Sequence, residues 1–176
     1  MRRILPSVLA LALASCVGPP APRPAEPAPV PRPTPPPPPA PAPPPLAADW
    51  RDWPLTPGDW VYRQDDRGSI ALYGRPGADA ALTLRCDRGA RAIYLSREGS
   101  AATNVTIRTS SLSRSLPAQP TGGTPPYVAA RIVATDGLLD AMGYSRGRFI
   151  VEAPGMVPLV VPAWAEVLRI AEDCRG

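Results

Sequence analysis

Residues 19–45 hold 17 prolines among 27 positions, and half of the rest are alanine. Proline lacks a backbone N–H and has a fixed φ, so such a run enters neither a helix interior nor a central strand. It offers no apolar pattern to bury and cannot join a packed core. Its expected form is extended polyproline II, at about 3.1 Å per residue, with a reach of up to roughly 80 Å. The run divides the chain into a short leader, residues 1–15, a linker, residues 16–45, and a head, residues 46–176, of one-domain length. Two roles are open to the linker: a spacer for the head, or a ligand for a proline-recognising groove. Its irregular order favours the spacer.

The leader reads MRRILPSVLALALASC. Arg2 and Arg3 form a basic start, and the apolar run from Ile4 to Ala14 is about 11 residues, too short for a bilayer-spanning helix. Leu13-Ala14-Ser15-Cys16 resembles the lipobox of bacterial lipoproteins, which is cut just before the cysteine. The resemblance implies that Cys16 becomes the mature N-terminus, with a thioether-linked diacylglyceryl group and an amide-linked acyl chain. Two or more chains anchor stably where one does not. An ordinary secretory leader is the alternative. Val17 stands where an aspartate retains some lipoproteins in the inner membrane, so the resemblance points to the outer membrane and a head facing the periplasm.

All 19 basic residues are arginine; lysine and histidine are absent. The formal charge of +4 belongs largely to the leader and linker, because residues 49–176 hold 15 arginines against 14 acids. A balance this even gives no electrostatic footprint for nucleic acid or anionic lipid. With Cys16 lipidated, Cys86 and Cys174 remain. In an exported chain they are most simply read as a disulfide, with two buried free thiols as the alternative.

The head reads as mainly β (α+β): a small antiparallel β-sandwich or barrel-like sheet with a short helix and a C-terminal helix. Residues 59–64 and 69–74 flank the turn Asp65-Asp66-Arg67-Gly68, and 81–86 and 92–97 flank Asp87-Arg88-Gly89. Leu82, Leu84 and Cys86 alternate with polar residues, which points Cys86 to the core. Val105 and Ile107 repeat the alternation, and 127–133 gives another strand. Residues 148–153 and 157–161 meet at Pro154-Gly155, a type II turn pair. Helices are expected over 136–142 and 163–173, the second placing Trp164, Val167, Leu168 and Ala171 on one face.

Gly143-Tyr144-Ser145-Arg146-Gly147 fits G-x-S-x-G, the nucleophile elbow of serine hydrolases. The elbow needs a strand before the serine and a helix after it, whereas here the order is reversed. Gly143 is expected to end the helix in an αL cap, and Gly147 to precede a strand. A serine triad also needs a base, and the chain offers neither histidine nor lysine. No catalytic residue is therefore assigned. Zinc sites built on histidine or cysteine clusters are excluded by composition, and no phosphate-binding glycine loop appears, so no metal or cofactor is expected. Asp65-Asp66 reads as a pair of solvated turn residues rather than a cation site.

Three features remain as possible binding elements. Trp50, Trp53 and Trp60 stand where the linker meets the head; they either stack on a sugar or protein partner, or staple the segment across the sheet. Arg146 and Arg148, with Arg114 and Arg131, suit carboxylates or phosphates, or else pair internally, Arg148 with Glu152 on one strand face and Asp140 and Glu172 as further acids. The helix in "AWAEVLRIAEDCRG" has a charged outer face and reads as structural.

"LTLRCDR", "SRGRF" and "AWAEVLRIAEDCRG" make the head similar to uncharacterised domains of lipoproteins from GC-rich Gram-negative bacteria. The resemblance implies an exported, disulfide-closed β domain and supplies no activity. In architecture alone the head is similar to small lipid-anchored inhibitors of lysozyme. The expected function is a non-catalytic binding module for cell-wall material (peptidoglycan) or an envelope protein. The alternative is an inhibitor or protective factor against a hydrolase such as lysozyme or a protease, presenting the 115–126 loop, "SLPAQPTGGTPP", to its target.

Overall fold

A computed structural model describes residues 47–176; the leader, Cys16 and the proline-rich linker lie outside the described residues. The described residues 47–176 form one compact unit. Among the described residues, no helix is long and apolar enough to cross a membrane.

Nine antiparallel strands form one sheet. They are β1 (Asp59–Asp65), β2 (Gly68–Gly74), β3 (Leu82–Asp87), β4 (Ala92–Glu98), β5 (Thr103–Arg108), β6 (Ser113–Pro120), β7 (Tyr127–Val133), β8 (Arg148–Glu152) and β9 (Leu159–Pro162). Helix α1 (Gly137–Gly143) joins β7 to β8, and α2 (Ala165–Arg175) ends the chain. The spatial order is β1-β2-β3-β4-β7-β6-β5-β8-β9. The first four strands follow one another as hairpins. The β5–β6–β7 meander then folds back so that β7, not β5, pairs with β4.

The alternation read from the sequence sets the register. Tyr73 faces Leu82, Ala71 faces Leu84, Leu84 faces Leu95 and Leu95 faces Ala130. Phe149 and Val161 continue this inner row on β8 and β9. All eight are buried in one core cluster with α1 and α2. Cys86 lies in the same inner row, and its Cα is 5.4 Å from that of Cys174, bonded to it through sulfur. The disulfide fastens α2 beneath β3, with Val167, Ile170 and Ala171 of α2 buried beside it. The core, the disulfide and both helices lie within residues 47–176, so the head carries what it needs to fold by itself.

The fold is mainly β, with the short helix and the C-terminal helix expected from the sequence; its sheet is continuous and is not closed into a barrel. β1 and β9 do not pair as strands. The chain just before β1 instead clasps β9, as the Thr56 N–H donates to Val160 O at 2.9 Å and the Val160 N–H donates to Thr56 Oγ1 at 2.9 Å. Ile150 and Val160 point away from the core, yet both are buried.

The expected 115–126 loop is a correction. Its first half is β6, which runs to Pro120, leaving residues 121–126 as the connection to β7. β6 pairs with β5 over Ser113–Ala118 but with β7 only at Ala118–Pro120. A strand with one side largely free tolerates Pro117 without losing a ladder hydrogen bond on both sides.

Candidate functional site

The G-x-S-x-G segment lies between α1 and β8, so helix precedes the serine and strand follows it. Ser145 is 5% exposed. Its Oγ accepts the Ser110 N–H at 3.0 Å and donates to the Arg148 carbonyl. The neighbouring Arg146 N–H donates to Ser110 Oγ at 3.2 Å. The hydroxyl thus pins a turn against the β5–β6 connection, with its proton directed at a carbonyl. Gly147, at φ +76°, supplies the left-handed residue of this turn. Gly143 is not the αL cap expected from the sequence. It is the last residue of α1, and a Cβ there would lie 2.2 Å from Leu168 Cδ2, so it is needed for close approach of α1 to α2.

Trp50, Trp53, Arg146 and Arg148 are brought to the same end of the β8–β9 hairpin. Arg148 Nη1 donates to the Trp53 carbonyl, Arg148 pairs with Pro162 across the hairpin, and the Ala163 N–H donates to Gly147 O at 3.3 Å. Trp50 and Trp53 are half-buried. Trp53 Nε1 donates to Ala47 O at 2.7 Å, and the Arg51 guanidinium lies 4.9 Å from the Trp50 ring centroid. Both therefore take part in fastening the first residues of the head, while retaining exposed ring surface.

Trp60 is not part of this surface. It is 7% exposed, donates its Nε1–H to Pro162 O at 3.0 Å and packs at a tilt against Tyr73, 5.2 Å centroid to centroid. The expected Arg148–Glu152 pair is also absent. Glu152 pairs with Arg108 on the adjacent strand at 3.0 Å, because Arg148 reaches the opposite way to Trp53. Arg114 bonds Asp136 at 2.7 Å, Asp140 bonds Arg175 at 2.8 Å, and Arg131 donates to Ala90 O. Arg146 is exposed and makes no ion pair among the described residues.

Two aromatic residues that the sequence reading did not assign to binding join this end. Tyr144 is 75% exposed, and Trp164 is 47% exposed. Trp164 fits the spacing of the α2 apolar face, but it is the N-cap, with extended backbone at φ −91° and ψ 173°, and turns away from that face. Tyr144 was visible only as the variable position of the elbow pattern.

The acids of the β1–β2 and β3–β4 turns are engaged with arginines. Arg85 bonds Asp65 at 2.7 Å and Arg67 bonds Asp87 at 2.8 Å, which holds both carboxyls below the usual aspartate range. Among the described residues, no three cysteines or acids converge as a metal site would require. Compared with known proteins, the chain matches no family model, no curated protein and no solved structure.

Proposed function

We propose that this chain is a lipoprotein held in the outer membrane by acyl groups on Cys16, with the head in the periplasm as a non-catalytic binding module. Its target is cell-wall material or an envelope protein. The observation that carries this reading is the exposed aromatic end of the head. Tyr144, Trp164, part of Trp50 and Trp53, and the unpaired Arg146 lie about the start of β8 and the end of β9. Aromatic faces beside an arginine are the side chains that stack on sugar rings or anchor protein interfaces. The inhibitor reading has less support, because only residues 121–126 remain outside strands where a longer loop was expected.

The test is cosedimentation of residues 46–176 with purified peptidoglycan sacculi across a salt series. Salt-resistant binding that falls when Tyr144 and Trp164 become alanine supports a wall tether. Absence of binding sinks the wall target and directs crosslinking in intact cells towards a protein. The anchor is tested separately, by metabolic labelling with a radioactive fatty acid: Cys16→Ala should abolish incorporation.

A further inference from the structure

Arg97 is the only buried arginine among the described residues, with 6% exposure. It stands in the inner row of β4, opposite Leu82 on β3 and Val128 on β7. Its Nη1 donates to Val151 O at 3.0 Å and its Nη2 to Val157 O at 3.0 Å, reaching across the core to β8 and the β8–β9 turn. Nε is buried without any acceptor, and no carboxylate lies within ion-pair distance. Burial pulls its pKa below that of an ordinary arginine, with the charge of Glu98 opposing.

A brace between two carbonyls does not need a cation. A neutral amide side chain also has two donors, and it would avoid the desolvation of an unpaired charge, which costs several kcal/mol. Arginine brings two things an amide lacks: a fixed charge and a fork of parallel N–H groups shaped for a carboxylate. Arg97 also lines a cavity of about 430 Å³, open to solvent, with Ser100, Met156, Val157 and Leu159 among its other walls. Its volume lies within the range of small-molecule sites. Val157, at its rim, is 81% exposed, the largest exposure of any big apolar side chain among the described residues.

We propose that this cavity binds a small monocarboxylate with an apolar body. The anionic end takes the unused donors of Arg97, and the apolar part lies on Met156, Val157 and Leu159. Glu98, exposed at the rim, disfavours a second negative charge on the ligand. An acyl chain and the C-terminus of a short apolar peptide share this chemistry. The site is separate from the aromatic end of the head, and its test does not depend on the lipid anchor or on wall binding.

The test is an amide NMR titration of the ¹⁵N-labelled head, residues 46–176, with octanoate, N-acetyl-alanyl-alanine and uncharged octanamide in turn. At least one carboxylate should shift the amides of Glu98, Gly99, Ser100 and Val157 in a saturable way, and octanamide should not. Octanoate alone identifies an acyl ligand and the dipeptide alone a peptide terminus. Val157→Glu, at an exposed position that leaves the core intact, places a competing carboxylate at the cavity and should weaken binding at least ten-fold. Arg97→Gln, which removes the charge and the guanidinium fork, should do the same. No saturable shift with either carboxylate, equal shifts with octanamide, or unchanged binding by Val157→Glu overturns the proposal and leaves Arg97 as a brace only.

Discussion

The Ser145 hydroxyl donates to the carbonyl of Arg148, the first residue of β8, and so closes the turn that α1 opens. It also accepts the Ser110 N–H, so one side chain holds two distant backbone groups. Ser145→Ala leaves both groups without their partner at a site with little access to water, at a cost of about 1–3 kcal/mol. The urea midpoint should fall accordingly. A serine-reactive fluorophosphonate should label neither protein; labelling that disappears in the variant would reopen the question of a nucleophile.

The Cys86–Cys174 bond spans 88 residues. In the chain-entropy view, closing a loop of this size stabilises the fold by about 4–5 kcal/mol. The Cys86→Ala, Cys174→Ala double variant should lose that much in urea unfolding. Because the bond fastens α2 to β3, hydrogen exchange should rise first at the amides of residues 165–175. Exchange that rises equally in the central strands would show that the bond stabilises the head globally and does not act as a local clamp.

Asp136 caps α1, accepting the Leu138 N–H at 2.8 Å, while one Arg114 nitrogen lies 2.8 and 2.7 Å from its two oxygens. Burial raises its pKa, but the Leu138 and Arg114 contacts outweigh that and leave it below the ordinary 3.8. A carboxyl with a depressed folded pKa contributes stability above its unfolded value and loses it as pH falls through the folded one. Asp136→Asn keeps the cap and removes the charge, so at pH 7 it should cost about 0.5–1 kcal/mol. The gap between wild type and variant should close as pH drops below 3.8. A gap that persists in strong acid would mean the amide fails as a cap, and that charge is not the cause.

Where a strand's partner is its neighbour in sequence and its residues alternate, the fold was legible. "LTLRCD" placed Cys86 in the core, and 127–133 matches β7 residue for residue. β6 was hidden because its Pro117 and Pro120 speak for a loop, and only pairing with β5 makes the segment a strand. The β4–β7 pairing and the clasp of Thr56 on Val160 join segments distant in the chain, and no local pattern announces either. At the candidate site, the convergence of Trp53 and Arg148 was equally non-local. Gly143 was misread for a related reason: its demand for space comes from Leu168 on another helix, not from its own backbone.

The four tryptophans look alike in the sequence, but their surroundings separate them. Trp60 fills the core, with its indole N–H on Pro162 O, so Trp60→Ala should cost about 3–5 kcal/mol and unfold at markedly lower urea. Trp60→Phe keeps most of the packing and loses the hydrogen bond, which should cost about 1–2 kcal/mol. Trp164 is half-exposed and offers α2 no side-chain cap, so Trp164→Ala should leave stability within about 0.5 kcal/mol of wild type. If the aromatic end is the binding surface, the same change together with Tyr144→Ala should weaken association about ten-fold or more, the scale of a lost aromatic anchor. Measuring unfolding and binding on the same set of variants separates the two roles. A Trp164→Ala protein that unfolds as readily as Trp60→Ala would place Trp164 in the fold and remove it from the binding surface.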